Sequence, residues 1–161
     1  MLFRSLFAGS GMLGLESLSR GAAAVTFVDS DPRAVQALRE RLADWHAVGG
    51  SVIRADAQQF LAGGCVPRPV DGSAAPPGAG PFDLVFLDPP FAAGLLPPVA
   101  QALEQGGWLA PDALLYVEAA AEDRLPDWPP AWQPLRSGSA GAVGYHLLRR
   151  EGRSVANGQP T

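Results

Sequence analysis

The chain is 161 residues long, 47% apolar and of net charge −4, which suits one globular domain with a real core and disfavours a domain that grips a nucleic-acid backbone unaided. No apolar run approaches the ~20 residues of a membrane span, so a soluble, monomeric, cytoplasmic protein without a membrane partner is expected. A single cysteine, Cys65, excludes an intrachain disulfide, and His46 and His146 stand apart without metal-ligand spacing, so no metal is expected.

In chain order, Leu2 to Ala8 reads as a strand, Gly9 to Gly11 as a tight turn, and Met12 to Arg20 as a helix with Met12, Leu15 and Leu18 on one face. A second strand spans Ala23 to Val28. Asp31 and Pro32 then make a helix start, N-cap followed by first helical position, with Val35, Leu38, Leu42 and Trp45 as the buried stripe. Ser51 to Ala55 is a third strand and Ala57 to Ala62 a short helix. The Pro-, Gly- and Ala-rich stretch Gly63 to Pro81 reads as a flexible insertion loop within one domain spanning residues 1–150. Phe82 to Leu87 is a fourth strand, Leu95 to Gln105 a helix, and Leu114 to Glu118 a fifth strand. Asp123 to Pro134 resists assignment, Gln133 to Ser137 and Val143 to Arg149 read as an antiparallel edge pair, and residues 151–161 read as a disordered tail. Strands alternating with helices predict an α/β fold with a mostly parallel, doubly wound sheet and helices on both faces.

The chemistry is concentrated at predicted strand ends. Gly9-Ser10-Gly11-Met12-Leu13-Gly14 is a G-x-G-x-x-G that follows a strand and opens a helix, a turn through which a backbone can approach a nucleotide closely. Asp29 ends the second strand about twenty residues on, where an acid can accept from both ribose hydroxyls. Asp56 ends the third strand and can border an adenine, cap the following helix, or do both. Asp88-Pro89-Pro90-Phe91 ends the fourth. The prolines donate no backbone N–H, so their carbonyls and Asp88 form an acceptor-rich rim for a flat amine, and Phe91 offers a face for a planar base.

A glycine turn plus Asp29 fits either NAD or S-adenosylmethionine. A dehydrogenase needs a second half or a proton-transfer constellation, and the chain has neither. A methyl donor asks mainly for alignment of an acceptor lone pair and exclusion of water.

These residues resemble the Rossmann-like, S-adenosylmethionine-dependent methyltransferases, and within them the RsmD-type bacterial 16S rRNA guanine-N2 methyltransferases. The likeness runs from Leu6-Phe7-Ala8-Gly9-Ser10-Gly11 and Leu13-Gly14-Leu15-Glu16, through Asp88-Pro89-Pro90-Phe91 and Gly94-Leu95-Leu96, to Gly107-Trp108-Leu109 and Tyr116-Val117-Glu118. It implies a class I methyltransferase sheet of the seven-stranded type with an antiparallel C-terminal edge strand. It also implies a donor pocket of Phe7, Gly9, Gly11 and Asp29 with Asp56 and Ala57 at the adenine, a base site of Asp88, Pro89, Pro90 and Phe91, and 16S rRNA of the assembling small subunit as substrate. Two departures are notable. Such proteins carry a basic stretch of several dozen residues before the glycine turn, which suggests an N-terminally shortened chain, and they place an acid two residues before the Phe7 position, where this chain has Ser5. The alternatives are an adenine-N6 nucleic-acid methyltransferase, an NAD-dependent oxidoreductase and a non-catalytic remnant.

Overall fold

The computed structural model describes residues 1–66, 78–90, 94–122 and 127–152. Most of the predicted insertion, Phe91, part of the Asp123–Pro134 region and nearly all of the tail lie outside them. Seven strands, β1 (Leu2–Leu6), β2 (Ala24–Asp29), β3 (Gly50–Arg54), β4 (Phe82–Leu87), β5 (Leu109–Ala120), β6 (Trp132–Ala140) and β7 (Val143–Arg150), alternate with helices α1 (Met12–Ser19), α2 (Pro32–Asp44), α3 (Ala57–Ala62) and α4 (Leu96–Gln105). The sheet order is β3-β2-β1-β4-β5-β7-β6. Strands β1 to β5 pair in parallel, and β7 runs antiparallel to both β5 and β6. The antiparallel strand is thus the C-terminal one, as expected, and it is seated one position in from the edge, which β6 occupies.

Strand order reverses between β1 and β4. Crossovers from β1 lead outward through β2 to β3, and the one from β4 leads the other way to β5, so the loops after β1 and β4 part and leave a crevice at the carboxyl ends.

The two faces of the sheet carry separate cores. Val25 and Phe27 meet Leu15, Leu38 and Leu42 of α1 and α2, whereas Val28, Leu87, Leu115 and Val117 meet Leu61, Val99 and Leu103 of α3 and α4. Successive side chains alternate across a strand, so the near-continuous apolar run of β2 feeds both cores, Val25 and Phe27 one and Val28 the other. Asp31 caps α2 by accepting from Arg33 N at 2.8 Å, with Pro32 in the first turn, as predicted.

Two positions assigned to buried stripes are exposed, Met12 at 72% and Trp45 at 61%. In α1 the sheet-facing side is centred on Gly11, Gly14, Leu15 and Leu18. The glycines let the helix approach Phe27 and Leu38 so closely that no large residue is needed there, and Met12 falls outside that arc. Trp45 is the C-cap of α2, where the chain is already leaving the core.

Arg4 occupies an inward position of β1 and is fully buried. Its guanidinium lies 3.9 Å from the ring centre of Phe82, 4.4 Å from Trp108 and 4.5 Å from Phe60. Nη2 donates to the Gly78 carbonyl at 2.6 Å, while Nε and Nη1 find no partner among the described residues. Burial pushes the group down to about 9, so it stays charged at neutral pH.

Candidate active site

The crevice at the switch point is a cleft of about 510 Å³ lined by Phe7, Gly9, Asp29, Ser30, Asp31, Asp88, Pro89 and Pro90. Its floor is the turn after β1, where Phe7, Gly9 and Gly11 have φ of 60°, 51° and 74°. Positive φ is native to glycine and strained for other residues. Gly11 N donates to Ala8 O at 2.7 Å to close the turn. A Cβ on Gly11 would overlap the Leu38 side chain, so only glycine lets α1 start this close to α2.

Asp29, at the end of β2, has both oxygens engaged. Oδ2 accepts from Gly9 N at 2.8 Å and Oδ1 from Asp31 N at 2.8 Å. Each oxygen keeps a further lone-pair direction for a ligand hydroxyl. The carboxylate therefore clamps the glycine turn as well as lining the cleft, a role its sequence position alone did not reveal. Asp31 combines its capping duty with a place on the wall.

The structure gathers Phe7, Gly9, Asp29, Asp88, Pro89 and Pro90 into one cleft and leaves other candidates outside its lining. Gly11 stands behind the turn. Asp56 lies on the same sheet edge but is exposed, and its side chain accepts from Gln59 N at 3.0 Å as the N-cap of α3; Ala57 beside it is buried. Ser5, at the position expected to hold an acid, is buried in β1 between Phe27 and Phe86.

The electrostatics of the lining are one-sided. Asp29, Asp31 and Asp88 are acids, and none of the described lining residues is basic. Such a wall favours a cationic ligand and disfavours the pyrophosphate of a dinucleotide. Asp88 is exposed on the cleft wall, and partial desolvation there, followed by the nearby Glu118 carboxylate, pushes its carboxyl group upward from the ordinary value. Glu118 and its neighbour Tyr116 escaped sequence reasoning except as pieces of a family pattern. Their signal was a Tyr-x-Glu alternation at the end of the strand next to the one that ends in Asp88.

Comparison with known proteins agrees with this architecture. Residues 3–149 match the family model described as Conserved hypothetical protein 95. The chain is 41% identical over 151 residues to Ribosomal RNA small subunit methyltransferase D of Escherichia coli strain K12, covering 94% of this chain and 69% of that protein. It is 35% identical over 145 residues to the Haemophilus influenzae protein of the same name, covering 89% and 68%. Among solved structures, the Escherichia coli protein named "Putative methyltransferase yhhF" superposes with a TM-score of 0.81 at 39% identity, covering 94% of this chain and 78% of that one.

The seven-stranded sheet with its crevice at the switch point, together with these relatives, identifies the chain as a Rossmann-like methyltransferase. Within that class, the chain belongs to the Conserved hypothetical protein 95 family.

Proposed function

We propose that this chain is an S-adenosylmethionine-dependent methyltransferase that methylates the exocyclic N2 amine of a guanine in 16S rRNA of the assembling small ribosomal subunit. The observation that carries the reading is the placement of Asp88, Pro89 and Pro90 on the wall of the cleft whose other side is the Asp29-clamped glycine turn. An amine acceptor and a nucleotide-binding turn thus share one crevice. The names of the Escherichia coli and Haemophilus influenzae relatives support the ribosomal substrate.

The residues present fit the donor. The cleft volume of about 510 Å³ lies within the range of small-molecule sites, and its acids match a ligand with two positive centres. Asp29 would accept from the ribose hydroxyls, with Asp56 and Ala57 further along the same edge toward the adenine. Bound there, S-adenosylmethionine supplies a methyl group already activated by a sulfonium. Asp88 and the Pro89 carbonyl accept from the amine N–H groups, which localises a lone pair otherwise delocalised into the ring and stabilises the positive charge that develops on nitrogen. Asp88 then takes the proton that N2 sheds, a transfer eased by its raised proton affinity. Phe91, for which the family resemblance implies a place against the base, follows directly in sequence and lies outside the described residues.

Isothermal titration tests the donor half of the proposal. Binding of S-adenosylhomocysteine with no heat from NAD is the expected result. NAD binding without S-adenosylhomocysteine binding would sink the assignment.

A further inference from the structure

Strands β4 and β5 run parallel with Leu87 beside Val117, so Asp88, the first residue past the end of β4, is next in register to Glu118 of β5. Phe86 and Tyr116, two residues before Asp88 and Glu118, meet edge-on with ring centres 6.2 Å apart, Glu118 shares the face of Tyr116, and the Asp88 carboxyl is close enough to feel the Glu118 charge. That face is the one α1 and α2 cover over β1 to β3. Over β5 its residues Leu114, Tyr116 and Glu118 are only partly buried.

Glu118 is held in place but not neutralised. Tyr116 Oη donates to Glu118 Oε1 at 3.1 Å, and among the described residues no basic side chain pairs with Glu118. Burial, and after it the hydrogen bond to Glu118, pushes the Tyr116 hydroxyl up to about 12, so it remains a donor across the working pH range. Tyr145, opposite Glu118 on β7, lies over Gly138 of β6, where a Cβ would collide with its ring. Two acids side by side without a cation repel each other. A ligand edge presenting several N–H groups in a row relieves that repulsion.

Resting on the guanine reading above, we infer that Glu118, oriented by Tyr116, is a specificity residue that accepts the guanine N1–H while Asp88 accepts from the N2 amine. Guanine offers N1–H and N2–H donors side by side on its Watson–Crick edge. Adenine offers a bare N1 at the corresponding place, which would face a carboxylate with no proton between them. An acid pair selects guanine on this basis, and a rim made of Asp88 and prolines alone would hold either amine.

The test uses 16S rRNA assembled by splinted ligation, with either guanine or 2-aminopurine at the position the wild-type chain methylates. 2-Aminopurine keeps the N2 amine and has an acceptor in place of N1–H. The wild-type chain is expected to prefer guanine by about 10- to 100-fold in kcat/KM. Glu118→Gln, whose amide can donate to N1, is expected to collapse or invert that preference while its affinity for S-adenosylhomocysteine is unchanged, the latter reporting an intact fold. Tyr116→Phe, which frees the carboxylate to swing, is expected to weaken the preference without inverting it. A preference unchanged in both variants would overturn the inference. Absence of guanine-N2 methylation by the wild-type chain would instead overturn the function on which it rests.

Discussion

Replacing Asp88 by alanine is expected to slow methyl transfer by about 10²–10³-fold while leaving S-adenosylhomocysteine affinity within about twofold. The split follows from geometry: Asp88 lines the cleft from past the end of β4, on the proposed amine side, whereas the turn after β1 and Asp29 at the end of β2 line it on the proposed donor side. The same carboxylate gives the reaction a pH signature. Partial desolvation and Glu118 raise its proton affinity, and only the ionised form can take the proton that N2 sheds. The rate is therefore expected to rise with pH through a value above the ordinary carboxylate range. Removing the Glu118 charge takes away one of the two causes, so the limb should move to lower pH in Glu118→Gln. Single-turnover rates from pH 5 to 9 report both effects; a limb unmoved by Glu118→Gln would contradict the proximity of the two acids.

Asp29→Ala is expected to act on the other side of the cleft, weakening S-adenosylhomocysteine binding by about 10- to 100-fold, or about 1.4–2.7 kcal/mol. Two losses combine. The ribose hydroxyls lose their acceptor, and Gly9 N and Asp31 N lose the oxygens that fix the turn against β2. Asp29→Asn keeps one acceptor and should fall between wild type and alanine. Titration calorimetry separates the three, and equal affinities for wild type and Asp29→Ala would remove Asp29 from the donor site.

Much of this arrangement was legible before any coordinates. The G-x-G-x-x-G turn, Asp29 and Asp88 were each readable because a strand's end is marked by an abrupt change from apolar residues to Gly, Asp or Pro, and such ends converge on one edge of a parallel sheet. Phe82–Leu87 and Ala57–Ala62 have the predicted bounds. Strand β5 is longer than its apolar centre suggested, starting at Leu109, because Pro111 and Asp112 lie within it. A local pattern treats those two residues as a break. Side-chain partnerships across elements could not be read in this way. Nothing near Arg4 announces three aromatic rings drawn from residues 60, 82 and 108. The pairing of Asp88 with Glu118 depends on strand register, which is set by the whole sheet. Asp56 shows the opposite limit: its position allowed two roles, and the structure displays the capping one.

The measurement that bears most directly on the central claim is mass analysis of nucleosides from unmodified small-subunit rRNA after incubation with the chain and S-adenosylmethionine carrying a labelled methyl group. The account predicts label in N2-methylguanosine, lost in Asp88→Ala; label in N6-methyladenosine, or in no nucleoside at saturating donor, would contradict it.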